Sequence, residues 1–381
     1  MTFKKINAWF HLWLGLASGI VVVILGLTGC ALVFEQELKA LSTPWLHVEN
    51  INGKAQVQRP SVLFRSVEKA LPGREIESVW YYGKNRTAQF KIHGSDSTIY
   101  VNPYTASIVA MVPATDIFKF FKDGHYYLCL PKYIGGPIVG WATFVFFLLV
   151  LSGLILWWPK RWNTRGREQS FKIRLTAKFK RLNYDLHNVL GFYSLIIAIL
   201  LAFTGLMMSF TWFNNGIYRM AGGETKAWIK PVSDTLAHPN QLPQQQMLMQ
   251  VDKAYVMATN TIGEHNPDQL LLHFPGKASD PIYLCTDMYK GSWRDVFLDQ
   301  NTLKELPASS KRLREDHLAS WIRRSNYGLH VGAIGGLPTK ILFFIISLIC
   351  ASLPVTGFYI WWGNKQKSWK KKRKKIGNII A

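Results

Sequence analysis

Residues 6–34 read INAWFHLWLGLASGIVVVILGLTGCALVF, a stretch without a single Asp, Glu, Lys or Arg. About 20 apolar residues in a helix cross the hydrocarbon core of a bilayer, and a core helix of a soluble protein rarely runs this long without a charge. Three further apolar stretches of similar length follow. We therefore predict an α-helical membrane protein with four transmembrane helices, at residues 6–34, 137–158, 186–212 and 338–363.

The charge of the chain is unevenly distributed. Lys and Arg number 45 against 23 Asp and Glu. Two basic residues precede the first helix, nine lie in residues 159–182 with a single acid, and eight follow the fourth helix. The positive-inside rule assigns these pieces to the cytoplasm, so the charge does not require a nucleic-acid partner. We predict two cytoplasmic termini, a basic cytoplasmic loop at 159–185, a basic tail at 364–381, and outer segments at 35–136 and 213–337.

The four helices repeat in pairs. Helix three aligns with helix one without a gap, which superposes His11 on His187, Gly15 on Gly191, Thr28 on Thr204 and Gly29 on Gly205. Helix four aligns with helix two in the same way, which superposes Ser152 on Thr356, Gly153 on Gly357 and Trp157-Trp158 on Trp361-Trp362. We infer a tandem duplication in which each half is helix, outer domain, helix. Parallel copies of this kind are related by a pseudo-twofold axis along the membrane normal.

Each outer segment reads as a small α+β domain. The first has an amphipathic stretch typical of a helix at 61–71 and alternating stretches typical of strands at 77–82, 87–93 and 98–101. The second repeats this order, with a helix at 244–258 and strands at 270–274, 281–285 and 292–298. Neither segment contains a Ser-His-Asp set, a nucleotide-binding loop or a C-x-x-C motif, so we expect no catalytic group there.

Two histidines lie inside the predicted membrane helices, where titratable side chains are costly and mark functional sites. His11 and His187 lie one to two turns from the cytoplasmic ends of helices one and three, and the repeat gives them the same depth. A second pair, His125 and His330, precedes helices two and four on the opposite side of the membrane. A Gly-Gly pair follows each of these histidines, at positions 135–136 and 335–336. The distance from the histidine to the glycines differs between the two halves, so their alignment requires an insertion.

Paired neutral imidazoles at one depth are the axial ligands that a six-coordinate haem iron needs. A helix rises about 1.5 Å per residue, so a ligand at one face of the membrane cannot share an iron with one at the other face. We therefore predict a cytoplasmic-side haem held by His11 and His187 and an outer haem held by His125 and His330. Both would be haem b, because no C-x-x-C-H motif is present for covalent attachment.

Glycines accompany these histidines. Gly15 and Gly191 lie one turn beyond the inner pair, and we predict that they let a flat ring approach the backbone. Gly29 and Gly205 are read as residues that pack helices together. The alternative for the inner histidines is an interfacial side chain that reaches toward water. If one outer histidine is not a ligand, His317 is the best substitute.

Three motifs carry a family resemblance: FHLWLG at residues 10–15, LTG at 27–29, and Gly153 followed by WWPK at 157–160, with their copies in the second half. They resemble the PepSY-associated transmembrane proteins of bacteria, in particular the di-haem siderophore-iron (ferrioxamine-type) reductases, over essentially the whole chain. The resemblance implies an inner-membrane oxidoreductase with PepSY-like periplasmic domains that reduces a ferric siderophore or other ferric chelate in the periplasm. The electron donor would be separate, either flavodoxin-like or quinol.

One family motif is incomplete in this chain. The family's turn reads Asp-Pro-x-Thr-Gly, whereas this chain has NPYTA at residues 102–106. The final glycine is therefore missing.

Two other classes of protein compete with this reading. A transporter would be expected to have charged or broken helices at the bilayer midplane, but only Pro354 interrupts helix four. A PepSY-type regulatory or binding protein without redox activity would not need paired histidines. A Soret band in the purified protein would exclude both. Cys30 and Cys350 lie in the predicted spans and read as small apolar residues, whereas Cys129 and Cys285 both lie outside the spans and could pair.

Overall fold

The computed structural model describes residues 2–49, 56–113, 115–159, 162–224, 230–265, 268–289 and 291–380, with the backbone alone for residues 165, 289 and 368–380. The α-helices are α1 (Phe3–Val33), α2 (Glu35–Ser42), α3 (Pro60–Ala70), α4 (Ile117–Tyr127), α5 (Lys132–Trp157), α6 (Thr164–Phe171), α7 (Phe179–Asp185), α8 (Gly191–Ser209), α9 (Thr211–Met220), α10 (Gln244–Met257), α11 (Leu318–His330) and α12 (Leu337–Ile380). The strands are β1 (Ile76–Tyr82), β2 (Ala88–Ile92), β3 (Ser97–Val101), β4 (Ile108–Pro113), β5 (Gln269–His273), β6 (Ile282–Tyr289) and β7 (Ser292–Leu298).

The chain divides into two compact units. The helical unit consists of Met1–Phe34, Ile117–Asn214 and Leu329–Ala381. The sheet unit consists of Glu35–Asp116 and Asn215–Gly328. Each unit therefore takes residues from both halves of the sequence.

Four helices of the helical unit are long and apolar enough to cross a membrane, and they are Phe3–Val33, Lys132–Trp157, Phe179–Ser209 and Leu337–Lys367. The third joins α7, a π-helical turn at Leu186–Leu190, and α8 without a break. Helix α1 packs against α5 and α12, and α8 packs against the same two helices, so the four spans form a bundle. Ile20 and Ile196 are 68% and 77% exposed on its surface, which suits side chains that face lipid.

The prediction of four membrane helices is confirmed, but their ends differ from the predicted ones. The third span begins at Phe179 instead of residue 186, and the fourth helix continues to Ile380 instead of ending at residue 363. Lys and Arg are good helix formers. The helices therefore continue into the basic flanks, beyond the point where the hydropathy signal ends.

A single antiparallel sheet of seven strands organises the sheet unit, in the order β4-β3-β2-β1-β5-β6-β7. Helices α3 and α10 and the strands share one apolar core. Leu63 of α3 and Val251 of α10 are fully buried in it, together with Val79 of β1 and Leu272 of β5. The predicted helices and strands of this unit are present with ends shifted by a few residues.

The two outer domains predicted at 35–136 and 213–337 are not separate in the structure. Strand β1 of the first segment pairs with β5 of the second, with Val79 opposite Leu272. Each of these strands would otherwise be an exposed edge, and pairing satisfies the main-chain groups of both. The predicted boundaries are also too wide, because residues 117–136 and 329–337 belong to the helical unit.

The third strand of each segment ends in the same turn. The side-chain oxygen Oδ1 of Asn102 accepts hydrogen bonds from the two N–H groups at positions 104 and 105, at 2.9 and 3.4 Å. Asp299 accepts the equivalent pair at 3.0 and 2.8 Å. These are Asx turns. Each ends in a residue in the left-handed region, Ala106 at φ 59° and Leu303 at φ 58°, and Ala106 stands where the family motif has glycine.

Candidate functional site

The structure brings the four predicted histidines together in two pairs within the helical unit. The ring centroids of His11 and His187 lie 6.4 Å apart, with the ring planes at 87°. Those of His125 and His330 lie 6.2 Å apart, with the planes at 63°. In each pair one imidazole comes from the first half of the chain and the other from the second half.

The inner pair, His11 and His187, is carried by different backbone geometries. His11 lies in the regular α-helix α1. His187 lies in the π-helical turn Leu186–Leu190, where the helix widens between α7 and α8. Single π turns inside α-helices are rare and are frequent at functional sites. Asp185, which lies just before this turn, is fully buried and forms an ion pair with Arg181 at 2.8 Å, so its charge is compensated.

The outer pair lies at the C-terminal ends of two short helices that precede the second and fourth spans. His125 lies in the last turn of α4, and His330 is the last residue of α11. The segment after α4 is tight, because a Cβ on Gly135 would lie 1.9 Å from the carbonyl oxygen of Tyr127. The segment after α11 instead turns at Gly332, with φ 70°. These different connections account for the unequal spacing in the sequence.

Every histidine of the two pairs has a hydroxyl group at Nδ1. The four Nδ1–hydroxyl distances are 2.6 Å for His11–Ser152, 2.9 Å for His187–Thr356, 3.0 Å for His125–Thr28 and 2.8 Å for His330–Thr204. The hydroxyls come from the Ser/Thr-Gly steps that recur in all four membrane helices. Within each half of the chain, the histidine in the first membrane helix contacts the hydroxyl of the second membrane helix. The histidine that precedes the second membrane helix contacts the hydroxyl of the first.

The hydroxyl contacts favour the tautomer with the proton on Nδ1. Each hydroxyl already lies within hydrogen-bond distance of a carbonyl one turn back in its own helix, at 3.1 Å for Ser152, 2.6 Å for Thr28, 2.6 Å for Thr204 and 3.0 Å for Thr356. A hydroxyl has one proton, so a hydroxyl that donates to that carbonyl accepts from Nδ1–H.

Main-chain carbonyls support the same assignment. The carbonyls of Leu25 and Leu353 lie 3.1 Å from Nδ1 of His125 and His187. A carbonyl can only accept, so Nδ1 is the protonated nitrogen of His125 and His187. Nε2 then keeps its lone pair, and within the described residues no Nε2 of the four makes a hydrogen bond.

A glycine follows each of these hydroxyl residues and gives the imidazole room. A Cβ on the glycine would lie 3.4 Å from Cε1 of His11 at Gly153, 3.2 Å from His187 at Gly357, 3.3 Å from His125 at Gly29 and 3.7 Å from His330 at Gly205. Three of these four distances leave little or no slack for a methyl group. Gly29 and Gly205, read from the sequence as helix-packing residues, therefore also contact histidines.

Two asparagines stabilise the inner pair. Nδ2 of Asn7 donates to the carbonyl of Ser152 at 3.0 Å, and Nδ2 of Asn183 donates to the carbonyl of Thr356 at 3.0 Å. Each asparagine lies one helical turn before a histidine of the inner pair, on the same face of the helix. The gapless alignment of helices one and three also superposes Asn7 on Asn183, but the prediction did not use this match.

The spacing of the ring centroids in each pair, 6.4 and 6.2 Å, would let both imidazoles bind one metal ion. Each metal–nitrogen bond would be about 2 Å and each nitrogen lies about 1 Å from its ring centre, so the centroids would be about 6 Å apart. The described residues contain no group of three or more His, Cys, Asp or Glu that could hold a metal ion. Two imidazoles alone fill two positions, which suits a metal whose other four ligands come from a macrocycle.

The two pairs are separated along the helices. His11 and Thr28, the partner of His125, both lie in α1. His187 and Thr204, the partner of His330, have the same separation in the third span. At a rise of about 1.5 Å per residue, each separation is about 25 Å. This is close to the thickness of a bilayer core, about 30 Å.

The remaining predicted residues are placed as follows. His317 belongs to the sheet unit, where its ring packs against Gly222, and it is in neither pair. Cβ atoms added at Gly15 and Gly191 would meet only ordinary contacts, at 4.0 and 3.7 Å, so the protein alone does not require glycine there. Their role beside a flat ring stays a prediction. All four cysteines are free, so Cys129 and Cys285 are not joined.

Comparison with known families covers nearly the whole chain. Residues 8–364 match the family described as the PepSY-associated TM region. The match includes all four histidines of the two pairs and the four hydroxyl residues that contact them. A search of curated proteins finds no match.

Proposed function

The chain belongs to the PepSY-associated transmembrane family, and we propose that it is a di-haem b oxidoreductase that passes electrons across the membrane to reduce ferric iron. Four apolar helices and the family make it a multi-pass membrane protein. The observation that supports the proposal most is that four imidazoles form two pairs, with ring centroids 6.4 and 6.2 Å apart. In each imidazole Nδ1 lies at hydrogen-bond distance from a hydroxyl, and Nε2 is free to bind a metal. A protein that only binds or regulates a partner has no need of this arrangement.

His11 and His187 would hold the cytoplasmic-side haem, and His125 and His330 the periplasmic-side haem. Bound haem iron supplies reversible one-electron chemistry, tuned by its axial ligands and their hydrogen bonds. The chain's own residues hold the ligand nitrogens in place and surround them with apolar helices, which exclude water. The separation of about 25 Å between the pairs suits electron passage from one face of the membrane toward the other.

We place the protein in the bacterial inner membrane, with both termini in the cytoplasm. The support is the concentration of Lys and Arg before the first span, at 159–182 and after the last span. We also propose that the chain arose by tandem duplication and that its sheet unit is PepSY-like and periplasmic. The exchange of histidine–hydroxyl contacts, which is the same in both halves, supports the duplication.

The substrate would be a ferric siderophore or another ferric chelate, which accepts one electron per iron in the periplasm. The donor would be a separate reduced flavodoxin-like protein or a quinol. The nine Lys and Arg residues at 159–182, in the basic loop, would attract an acidic donor protein. The same charge also suits anionic lipid. Nucleic acid is not a partner in this proposal.

Haem content tests the proposal. The protein is purified in detergent from haem-replete cells, and reduced-minus-oxidised spectra are recorded with pyridine extraction to count haem per chain. We expect two haem b per chain with low-spin spectra. A His238→Ala variant, altered in an exposed loop of the sheet unit, serves as control and should keep both. One haem or none in the wild-type protein would refute the di-haem assignment, and the absence of a Soret band would favour the regulatory alternative.

A further inference from the structure

We propose that the four Ser/Thr-Gly steps, at residues 28–29, 152–153, 204–205 and 356–357, are positioning elements that set the tautomer and the strength of the four histidine ligands. This inference rests on the proposed function, because it concerns how the chain prepares its ligands for the iron. Its experiment has a readout that does not depend on bound haem.

Each hydroxyl sets the tautomer of the imidazole that it contacts. A neutral imidazole carries its proton on either nitrogen, and only the nitrogen without it can bind a metal. Each hydroxyl already lies within reach of a carbonyl of its own helix to which its proton can go, so its oxygen accepts from Nδ1–H. The proton is thereby held on Nδ1, and Nε2 is kept available.

The glycine that follows each hydroxyl residue makes room for the imidazole. It lets the imidazole lie against the helix backbone, with Cε1 at 3.2 to 3.7 Å from where a Cβ would be. Cε1 lies between the two ring nitrogens, so a methyl group there would push the ring away from the hydroxyl and tilt Nε2. The hydroxyl hydrogen-bonds the ring and the glycine leaves room for it, which explains why the two residues are adjacent in all four membrane helices.

The histidines differ in the number of acceptors that lie at Nδ1. Among the described residues, the only acceptor at Nδ1 of His11 is the hydroxyl of Ser152, at 2.6 Å. His125 and His187 each have a main-chain carbonyl 3.1 Å from Nδ1 in addition to the hydroxyl. Loss of the hydroxyl should therefore matter more at His11 than at His125 or His187, because no carbonyl of the described residues holds the Nδ1 proton of His11.

The chemical consequence concerns ligand strength. A hydrogen bond from Nδ1–H to an acceptor raises the basicity of the other nitrogen and so strengthens its bond to the metal. Removing such a partner typically costs about 10- to 100-fold in metal affinity. A weaker donor ligand favours the ferrous state, so the midpoint potential of that site should rise.

The test compares Ser152→Ala with Ser152→Thr, which restores a hydroxyl, and with Thr28→Val. Ser194→Ala is the matched control, because Ser194 is also buried and donates to a carbonyl of its own helix, but within the described residues it hydrogen-bonds no histidine. We expect Ser152→Ala to weaken haem binding at the inner site by about 10- to 100-fold, raise its potential and shift its low-spin EPR signal. The outer site should be unchanged, Ser152→Thr should recover, and Thr28→Val should have a smaller effect.

The outcomes separate this inference from the proposed function. If the wild-type protein binds two haems and Ser152→Ala leaves the affinity, potential and EPR signal of the inner site unchanged, the inference is overturned and the function stands. If the wild-type protein binds no haem, the function fails, and nitrogen-15 NMR of labelled histidine in the haem-free protein decides. Protonation of Nδ1 in His11 that is lost in Ser152→Ala supports the positioning role, whereas protonation of Nε2 in the wild-type protein overturns it.

Discussion

Replacing His187 by Ala should remove one haem and leave the other. The imidazole of His187 is one of two that would bind the inner iron, and its partner His11 alone supplies only one axial ligand. The outer pair shares no residue with the inner pair, and the two are separated by about 25 Å along α1. Sites this far apart without common partners behave independently.

The expected magnitude follows from that separation. The variant should bind one haem instead of two, so the Soret absorbance per chain should fall to about half, and one of two low-spin EPR signals should disappear. The reciprocal variant His330→Ala should lose the other signal.

A conservative replacement distinguishes a ligand from a residue that merely fills space. Methionine is an axial ligand that raises the haem potential. His187→Met should therefore retain two haems, with the inner potential raised and the outer potential unchanged in a redox titration. Loss of both haems in His187→Ala with an intact fold, or retention of both low-spin signals, would refute the assignment of His187 to a separate inner site.

Further predictions concern stability and docking. Ala106→Gly should raise the free energy of unfolding by about 1 kcal/mol in a thermal melt of the purified protein, because φ is 59° at this position and glycine adopts this left-handed conformation without strain. The control Ala110→Gly, in the extended strand β4, should lower the free energy of unfolding. Gly26→Ala should destabilise the protein by about 1–3 kcal/mol, because a Cβ there would lie 2.8 Å from the Cβ of Ala351 in α12. In the same melting assay the control Gly216→Ala should stabilise it by about 0.5–1 kcal/mol, because Gly216 lies inside α9 with nothing within 4 Å of its added Cβ. Deletion of residues 370–375, whose side chains lie outside the described part of the structure, should slow electron transfer from cytosol extract and weaken its salt dependence if this tail docks an acidic donor. Unchanged rate and salt dependence in correctly inserted protein would exclude docking by the tail.

Local patterns in the sequence predicted much of the helical unit. A helix that crosses a membrane must be apolar along its length, so stretches such as 6–34 are visible without any knowledge of their neighbours. The repeat then made His11 and His187 equivalent, and the structure brings their rings to 6.4 Å. The helix ends were less predictable, because α12 continues through a basic tail that hydropathy excludes.

The sheet unit shows what local patterns leave open. Period-two alternation identified β1 and β5 as strands, but it does not say which strands pair. The pairing of β1 with β5 joins residues from opposite halves of the chain, Val79 and Leu272. Strand partners are chosen by long-range packing and by the need to cover edges, so one sheet and two separate sheets were equally compatible with the sequence.

The sequence showed that the hydroxyl residues of the site recur, but it did not predict that they contact the histidines. The Ser/Thr-Gly steps were used as markers of the repeat, and glycine in a membrane helix is most simply explained by helix packing. Their contact with the histidines depends on which helices are neighbours, and that information is absent from any single helix. The pattern that would have found them is a hydroxyl-glycine step in each of four helices, equal in number to the histidines.

The most direct test of the account is electron transfer across a sealed membrane. Inverted vesicles containing the protein expose the cytoplasmic face to a reductant that does not cross the bilayer, while a ferric chelate is trapped in the lumen. The account predicts that ferrous iron appears in the lumen with wild-type protein and not with His187→Ala or His330→Ala. It would be contradicted if the trapped iron stayed ferric while both haems were shown to be bound and reduced.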